Sequence, residues 1–372
     1  MKFTCNQQIL AKALNTVSKA VTTKTTIPIL KGILLKVSDD GKLTLSASDL
    51  DLSIEKVIEV NNYEKGSLVV MARLFGDIIR KLPNEELLIE EVEEGTVVIK
   101  SSSSEFKIVS LSSDEFPAIG INDDEKEIIN IEKDILKDMI RKTSFSASLD
   151  ESKGVIVGVL LEIKDGNLNM VALDGFRMAV CRKEIVANKN NNIIISAKIL
   201  NEINKIISDI DDQENINIVI TNKNVMVLME NTKVVIRLLE GEFIKYKDII
   251  PKEHKCRLKV NRADLLDSIE RASLLAKEGK NNLIRVKIED DIMVITSRSE
   301  EGNVREQVFI SKEGNSLEIG FNSKYMLDVL KVIEDEEILL DFNANINPCI
   351  VRPLEGNYYE YLILPVRINS NN

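Results

Sequence analysis

Histidine is almost missing from this chain. His254 is the single one among 372 residues, and it sits in the polar stretch Pro251-Lys252-Glu253-His254-Lys255. That nearly removes histidine-based catalytic triads and His-rich metal sites. Cysteine is sparse as well. Cys5, Cys181, Cys256 and Cys349 lie far apart and form no Cys-x-x-Cys pair. Buried free thiols in a reducing cytoplasm are the expectation, not a disulfide framework or a metal set. No uninterrupted apolar stretch approaches the ~20 residues that a membrane span needs, so no membrane partner is expected. Met1-Lys2-Phe3-Thr4-Cys5 runs straight into alternating residues and then a helical pattern, without the character of a signal peptide. There is no P-loop and no Gly-x-Gly-x-x-Gly after a strand. No catalytic residue, cofactor or metal is assigned.

What remains is an ordinary globular composition, 44% hydrophobic and 29% charged. The length predicts two or three domains with several cores. The run Ser101-Ser102-Ser103-Ser104 reads as a turn or an edge strand. The net charge of −11 argues, taken alone, against nucleic acid, because phosphate binding needs a positive surface. A DNA-binding reading therefore requires the charge to be segregated.

The most informative feature is a domain-sized internal repeat. Three segments open alike, with an extended start, a polar cap position and an amphipathic helix. They begin at Phe3, Ile129 and Leu258. Ile9, Leu10, Ala13, Leu14 and Val17 form the apolar stripe of the first helix. Ile135, Leu136, Met139 and Ile140 form that of the second, and Leu265, Leu266, Ile269 and Ala272 that of the third. Asn261 is the expected N-cap of the third. A turn followed by an alternating strand also recurs, at Gly41–Asp49, Gly166–Asp174 and Asp291–Ser297. Such alternation suits sheets with one face on a core. A second helix recurs over Ala72 to Leu82, Ala197 to Ile207 and Asn322 to Ile333, each between apolar strands. The fold class is therefore α+β: three repeated domains, each with two helices and about eight strands in antiparallel sheets. The expected boundaries are 1–125, 126–252 and 253–372. The first falls in the acidic loop Ile121–Glu127 and the second in Pro251–Lys255. Asp49, Asp51 and Asp174 could be imagined as metal-binding carboxylates for phosphodiester cleavage. The repeat puts Asp49 and Asp174 in equivalent copies, so one turn made twice is the preferred reading.

Along its whole length the chain resembles the β sliding clamp family of bacterial DNA polymerase III. The resemblance rests on the opening Met1-Lys2-Phe3-Thr4 and on Thr26-Ile27-Pro28-Ile29-Leu30 followed by Ile33-Leu34-Leu35. It also rests on Ala172-Leu173-Asp174-Gly175-Phe176-Arg177-Met178-Ala179-Val180 and on the ending Tyr361-Leu362-Ile363-Leu364-Pro365-Val366-Arg367-Ile368. It implies a head-to-tail homodimer: a ring of six DNA-clamp domains with helices lining the hole and sheets outside. The implied function is that of a processivity factor, cytoplasmic and non-catalytic. It would encircle double-stranded DNA without regard to sequence and tether the DNA polymerase III α subunit, the clamp loader and repair proteins through a peptide groove. A non-DNA peptide-binding scaffold is the alternative; it predicts dimers without a DNA-sized hole.

Matched position by position, the resemblance implies a groove containing Ile156, Leu173, Gly175, Arg177, Met178, Ile244, Ile249, Tyr325, Ile346, Pro348, Leu362, Leu364, Pro365, Val366 and Arg367. Apolar, adaptable walls with a few polar groups suit aliphatic and aromatic anchors. Phe176 replaces the family's usual histidine, Leu173 a threonine and Ile244 a proline, while Asp248 stands where an arginine is common. The DNA-facing residues implied are Lys12, Lys24, Arg73, Lys133, Lys137, Arg141, Lys198 and Lys205. Lys133, Lys137 and Arg141 make one basic stripe at helical spacing, opposed by acidic clusters such as Glu334-Asp335-Glu336-Glu337 that are expected outside. Phe106, Leu274 and Leu275 are the implied dimer contacts, joining domain one of one chain to domain three of the other.

Overall fold

The computed structural model describes residues 1–120, 126–187, 189–209 and 215–368. Most of the acidic loop expected as the first boundary therefore lies outside the described residues. Those described form 25 strands and six α-helices. The helices are α1 (Gln7–Val17), α2 (Ala72–Lys81), α3 (Lys133–Thr143), α4 (Ala197–Ser208), α5 (Arg262–Glu278) and α6 (Ser323–Val332). They fall two to a repeat, as the periodicity predicts. Asparagine side chains start three of them by accepting orphan backbone N–H groups. Asn6 caps α1 at Gln8 and Ile9, Asn261 caps α5 at Asp264, and Asn322 caps α6 at Lys324.

Leu10, Ala13, Leu14 and Val17 are the buried stripe of α1, but Ile9 is 51% exposed. At 3.6 residues per turn Ile9 lies about a quarter-turn off that stripe, so it belongs to the flank and not to the core. Ile135 and Leu266 likewise sit half-buried at the margins of α3 and α5.

The chain divides into two compact units, residues 1–133 with 202–238, and residues 134–201 with 239–372. The first contains an antiparallel sheet of 13 strands. Within it Thr232–Arg237 pairs with Leu52–Glu59, Val234 opposite Ile54, so strands of the middle repeat continue the sheet of the first. Lys233 and Glu55 form an ion pair across this junction. The second unit contains an antiparallel sheet of 12 strands. Here Arg177–Glu184 pairs with Tyr359–Ile363, Met178 opposite Leu362, and joins the middle repeat to the third. Each sheet thus runs through a repeat boundary by ordinary ladder hydrogen bonds.

Clean alternation holds in Glu127–Glu132, where every second residue is buried. It fails in Asn167–Leu173 and in the first half of Arg177–Glu184, which are buried on both faces. One face carries the large core that includes Ala179, Tyr361 and Ile363. The other carries a smaller apolar cluster of Leu160, Val171, Leu173, Met178, Val180, Ile194, Ile350 and Leu362, covered by Tyr246 and Phe243. The segment that follows Leu238 supplies this second cover.

The repeated turn is confirmed in detail. Asp49 Oδ1 accepts the N–H groups of Asp51 (3.1 Å) and Leu52 (2.7 Å), and Asp174 Oδ1 accepts those of Phe176 (2.8 Å) and Arg177 (3.0 Å). Ser299 takes the matching place in the third copy, its Oγ accepting from Glu301 at 3.2 Å. Short polar side chains bonding the backbone two or three residues on are what such corners require. The residue after each aspartate has positive φ, 78° at Leu50 and 95° at Gly175.

Candidate functional site

One end of three neighbouring strands in the second unit collects most of the expected groove. Arg177 lies opposite Ile363, which lies opposite Cys349. The next residues outward are therefore Phe176, Leu364 and Pro348. The Leu364 N–H donates to Phe176 O at 2.8 Å, extending the ladder by one bond. Ile346, 75% exposed, stands on the adjoining loop, and Leu364 and Phe176 are 37% and 54% exposed. Beyond them Pro365 and Val366 are half-buried and Arg367 is exposed. The Val366 N–H donates to Gly320 O at 2.8 Å, which fixes the course of this tail. Gly175 is exposed at the corner, and the Tyr325 ring of α6 stacks on Phe176 with centroids 6.3 Å apart.

Strand alternation sorts the remaining residues. Leu173, Met178 and Leu362 point into the smaller apolar cluster, with Ile156 packed against it. Ile244 and Ile249, 42% and 44% exposed, rise from the covering segment on either side of buried Tyr246. Arg177 points to the opposite face. It is only 8% exposed, and each nitrogen of its guanidinium donates a hydrogen bond. Nε donates to Asp174 (3.1 Å), Nη1 to Asp328 of α6 (2.5 Å) and Nη2 to Phe145 O (2.7 Å). It also lies over the rings of Tyr325 and Phe145, at 4.6 and 5.3 Å. Burial, and after it the charge of Asp174, push the Tyr325 phenol above its ordinary range.

Beside the covering segment is an open cleft of about 500 Å³ lined by Leu160, Ile194, Phe243, Ile244 and Tyr246, with Glu162 at its polar wall. Glu162 accepts from Tyr246 (2.7 Å), Asn169 (2.8 Å) and Lys247 (2.8 Å). Burial pushes this carboxyl up, but the three donors outweigh it and hold it below the ordinary glutamate range. Tyr246 is pushed up by burial and by donating to Glu162. Tyr246, Glu162, Phe145 and Asp328 were not among the residues expected from sequence. Each has a key partner far along the chain, and no local pattern marks it.

The basic residues divide in two. Lys12, Lys24, Arg73 and Lys198 are exposed and form no ion pair among the described residues. Lys137 is 3.7 Å from Asp134, Lys205 is 2.7 Å from Glu202, and Arg141 is 2.6 Å from both Asp138 and Glu334. Within the Lys133–Lys137–Arg141 stripe, Arg141 is thus paired with an acid of its own helix and with Glu334, and Lys137 with Asp134. Glu334 thus meets α3 at Arg141, although the two lie far apart in the chain.

Phe106 and Leu274 are 38% and 66% exposed, and Leu275 is half-buried. Both neighbourhoods include unpaired strand edge among the described residues. Glu105–Leu111 pairs on one side with Thr96–Lys100, but on the other it meets Gly66–Met71 only at Ser110 and Leu111. Gly302–Gly314 pairs with Ile292–Ser299 over Gly302–Phe309, yet meets Cys256–Asn261 only from Ile310 onward. Val109 and Phe309, on these edges, are 73% and 81% exposed.

Models of the DNA polymerase III beta subunit match the chain in three consecutive pieces: N-terminal domain at residues 1–120, central domain at 130–245 and C-terminal domain at 247–367. The beta sliding clamp of Bacillus subtilis (strain 168) is 36% identical, with 99% of this chain and 100% of that protein covered. That of Staphylococcus epidermidis is 35% identical, with 99% of each covered. The crystal structure of the B. subtilis DNA polymerase sliding clamp superposes with a TM-score of 0.94 at 36% identity, covering 99% of this chain and all of that one. A Pseudomonas aeruginosa sliding clamp bound to griselimycin gives 0.92 at 26% identity, with the same coverage. The chain belongs to the DNA polymerase III beta subunit family, the bacterial β sliding clamps.

Proposed function

We propose that two copies of this chain close head to tail into a ring around double-stranded DNA and carry the replicative polymerase, the clamp loader and repair proteins along it. The observation that carries the reading is the whole-chain match to sliding clamps in three consecutive domains. The ring performs no chemistry; its work is topological tethering in the cytoplasm. The domains follow the boundaries 1–125, 126–252 and 253–372.

The unpaired edges at Glu105–Val109 and Gly302–Phe309 support the dimer. Exposed edges flanked by apolar side chains invite pairing with another chain. Phe106 with Leu274 and Leu275 would then be sequestered where domain one of one copy meets domain three of the next. An end-to-end contact of unlike surfaces closes into a ring when the rotation permits.

Lys12, Lys24, Arg73 and Lys198 are the DNA-facing cations with free charge, Lys133 completes the DNA-facing set, and Lys137, Arg141 and Lys205 contribute less because acids pair with them. A weak, salt-sensitive attraction to phosphates with no base readout suits a ring that slides. The partner peptide, a glutamine followed by aliphatic and aromatic residues, lies over the apolar cluster between Ile249, Ile244 and Leu364. Exposed Ile346 and Phe176, with half-buried Tyr325 behind them, form its far wall.

Negative-stain electron microscopy tests the ring, and fluorescence anisotropy with such a peptide tests the groove. A closed particle of six lobes around a DNA-sized hole, with peptide binding weakened by Leu364→Ala, is the expected result. Compact particles without a hole overturn the topological reading. Unchanged affinity in Leu364→Ala overturns the groove.

A further inference from the structure

We propose that Arg177 is a positioning residue of the partner groove: without touching the peptide, it ties the Gly175–Phe176 corner to α6 and so sets the shape of the groove wall. The proposal rests on the peptide-groove reading above. Met178 and Leu362 face the apolar cluster, and by alternation Arg177 projects from the other side of the same strand. A peptide on the cluster is separated from the guanidinium by the sheet itself.

What the guanidinium does hold is the wall. Asp174 uses one oxygen to shape the corner, through Phe176 N–H and Arg177 N–H, and the other to take Arg177 Nε. Tyr325 contacts both the guanidinium, 4.6 Å from its ring, and the Phe176 ring, 6.3 Å away. Asp328, one turn along α6 from Tyr325, takes Nη1. Corner, aromatic pair and helix are therefore connected through one planar fork, a geometry that lysine does not reproduce.

The first repeat supplies an internal control. Asp49 makes the same corner with the N–H groups of Asp51 and Leu52, and Leu52 stands in the place of Arg177. The corner therefore forms without an arginine. In the middle repeat the arginine adds the connection to α6, which the corner itself does not need.

Loosening the connection lowers the fraction of molecules whose wall is ready to receive a peptide, and apparent affinity falls by that fraction. The loss then appears in the association rate. A residue that touches the peptide shows its loss in the dissociation rate.

The test uses the full-length protein and a labelled peptide of a glutamine followed by aliphatic and aromatic residues, with stopped-flow anisotropy well below the melting temperature. The variants are Asp328→Asn, Arg177→Lys, their double, and Leu364→Ala as the contact control; circular dichroism checks that each is folded. Expected are about tenfold weaker binding in both single variants, carried by slower association, and no further loss in the double. Leu364→Ala is expected to speed dissociation instead. Wild-type binding by Asp328→Asn, with Leu364→Ala weakened, overturns the positioning role and leaves the groove standing. Faster dissociation in Arg177→Lys makes Arg177 a contact residue and also overturns it. Wild-type binding by Leu364→Ala removes the groove and this inference together.

Discussion

The corner made twice permits a controlled measurement. Asp49→Asn and Asp174→Asn each keep a side-chain carbonyl that can accept the same backbone N–H groups, so both corners persist. Both lose the charge that strengthens those bonds, a cost of about 1 kcal/mol. The copies then diverge. Asp49 faces Leu52, whereas Asp174 also binds Arg177, which is 8% exposed and has Asp328 as its other carboxylate. Removing one partner from a buried charge costs about 3–5 kcal/mol when nothing else compensates it. With Asp328 retained, roughly half of that, about 2 kcal/mol, is expected. Asp174→Asn should therefore destabilise its hairpin by about 3 kcal/mol and Asp49→Asn by about 1 kcal/mol. A chain of several domains does not unfold in one step. The assay is therefore hydrogen exchange resolved to peptides spanning Lys42–Glu59 and Asn167–Glu184. Equal losses of protection in the two hairpins would refute the argument that Arg177 is held by Asp174 as a buried charge.

Three further outcomes are expected. Leu274→Glu with Leu275→Glu yields monomers by sedimentation velocity, because a carboxylate buried at the joint has no partner; persistent dimers would count against the assigned interface. Glu162 has a depressed folded-state pKa, so its stabilising effect is full above the ordinary glutamate value of about 4.3 and is lost as pH falls through the lower folded value. Glu162→Gln should accordingly melt below wild type at pH 7, with the gap closing in acid, and a gap independent of pH would contradict the bonding described. Burial pushes the thiols of Cys5 and Cys181 up to about 12 and about 11, and raises those of Cys256 and Cys349. A thiol reagent at pH 8 should thus leave all four unmodified in the native protein and modify all four in denaturant, and rapid native reaction at any of them would contradict its burial.

Local rules made much of this protein legible before any coordinates. The six helices follow from 3.6-residue periodicity, with Asn261 legible as the cap of α5, and both signals depend on neighbours within four residues. The threefold repeat and the equivalence of Asp49 and Asp174 were likewise evident from residue types and their order. Tertiary structure decided the rest. Ile9 lies outside the core because the stripe of α1 centres a quarter-turn away. Arg141 of the basic stripe is paired twice because Glu334, nearly two hundred residues distant, reaches back to it besides Asp138 of its own helix. Arg177 occupies the motif that carried the resemblance, but which face of the sheet it takes was set by pairing with Tyr359–Ile363, and its partners Phe145 and Asp328 came with the fold. Periodicity reports which side of an element is apolar. Which strand lies alongside, which edge stays unpaired and which distant carboxylate meets a given cation depend on contacts between segments far apart in the chain, and those exist only once the sheets have closed.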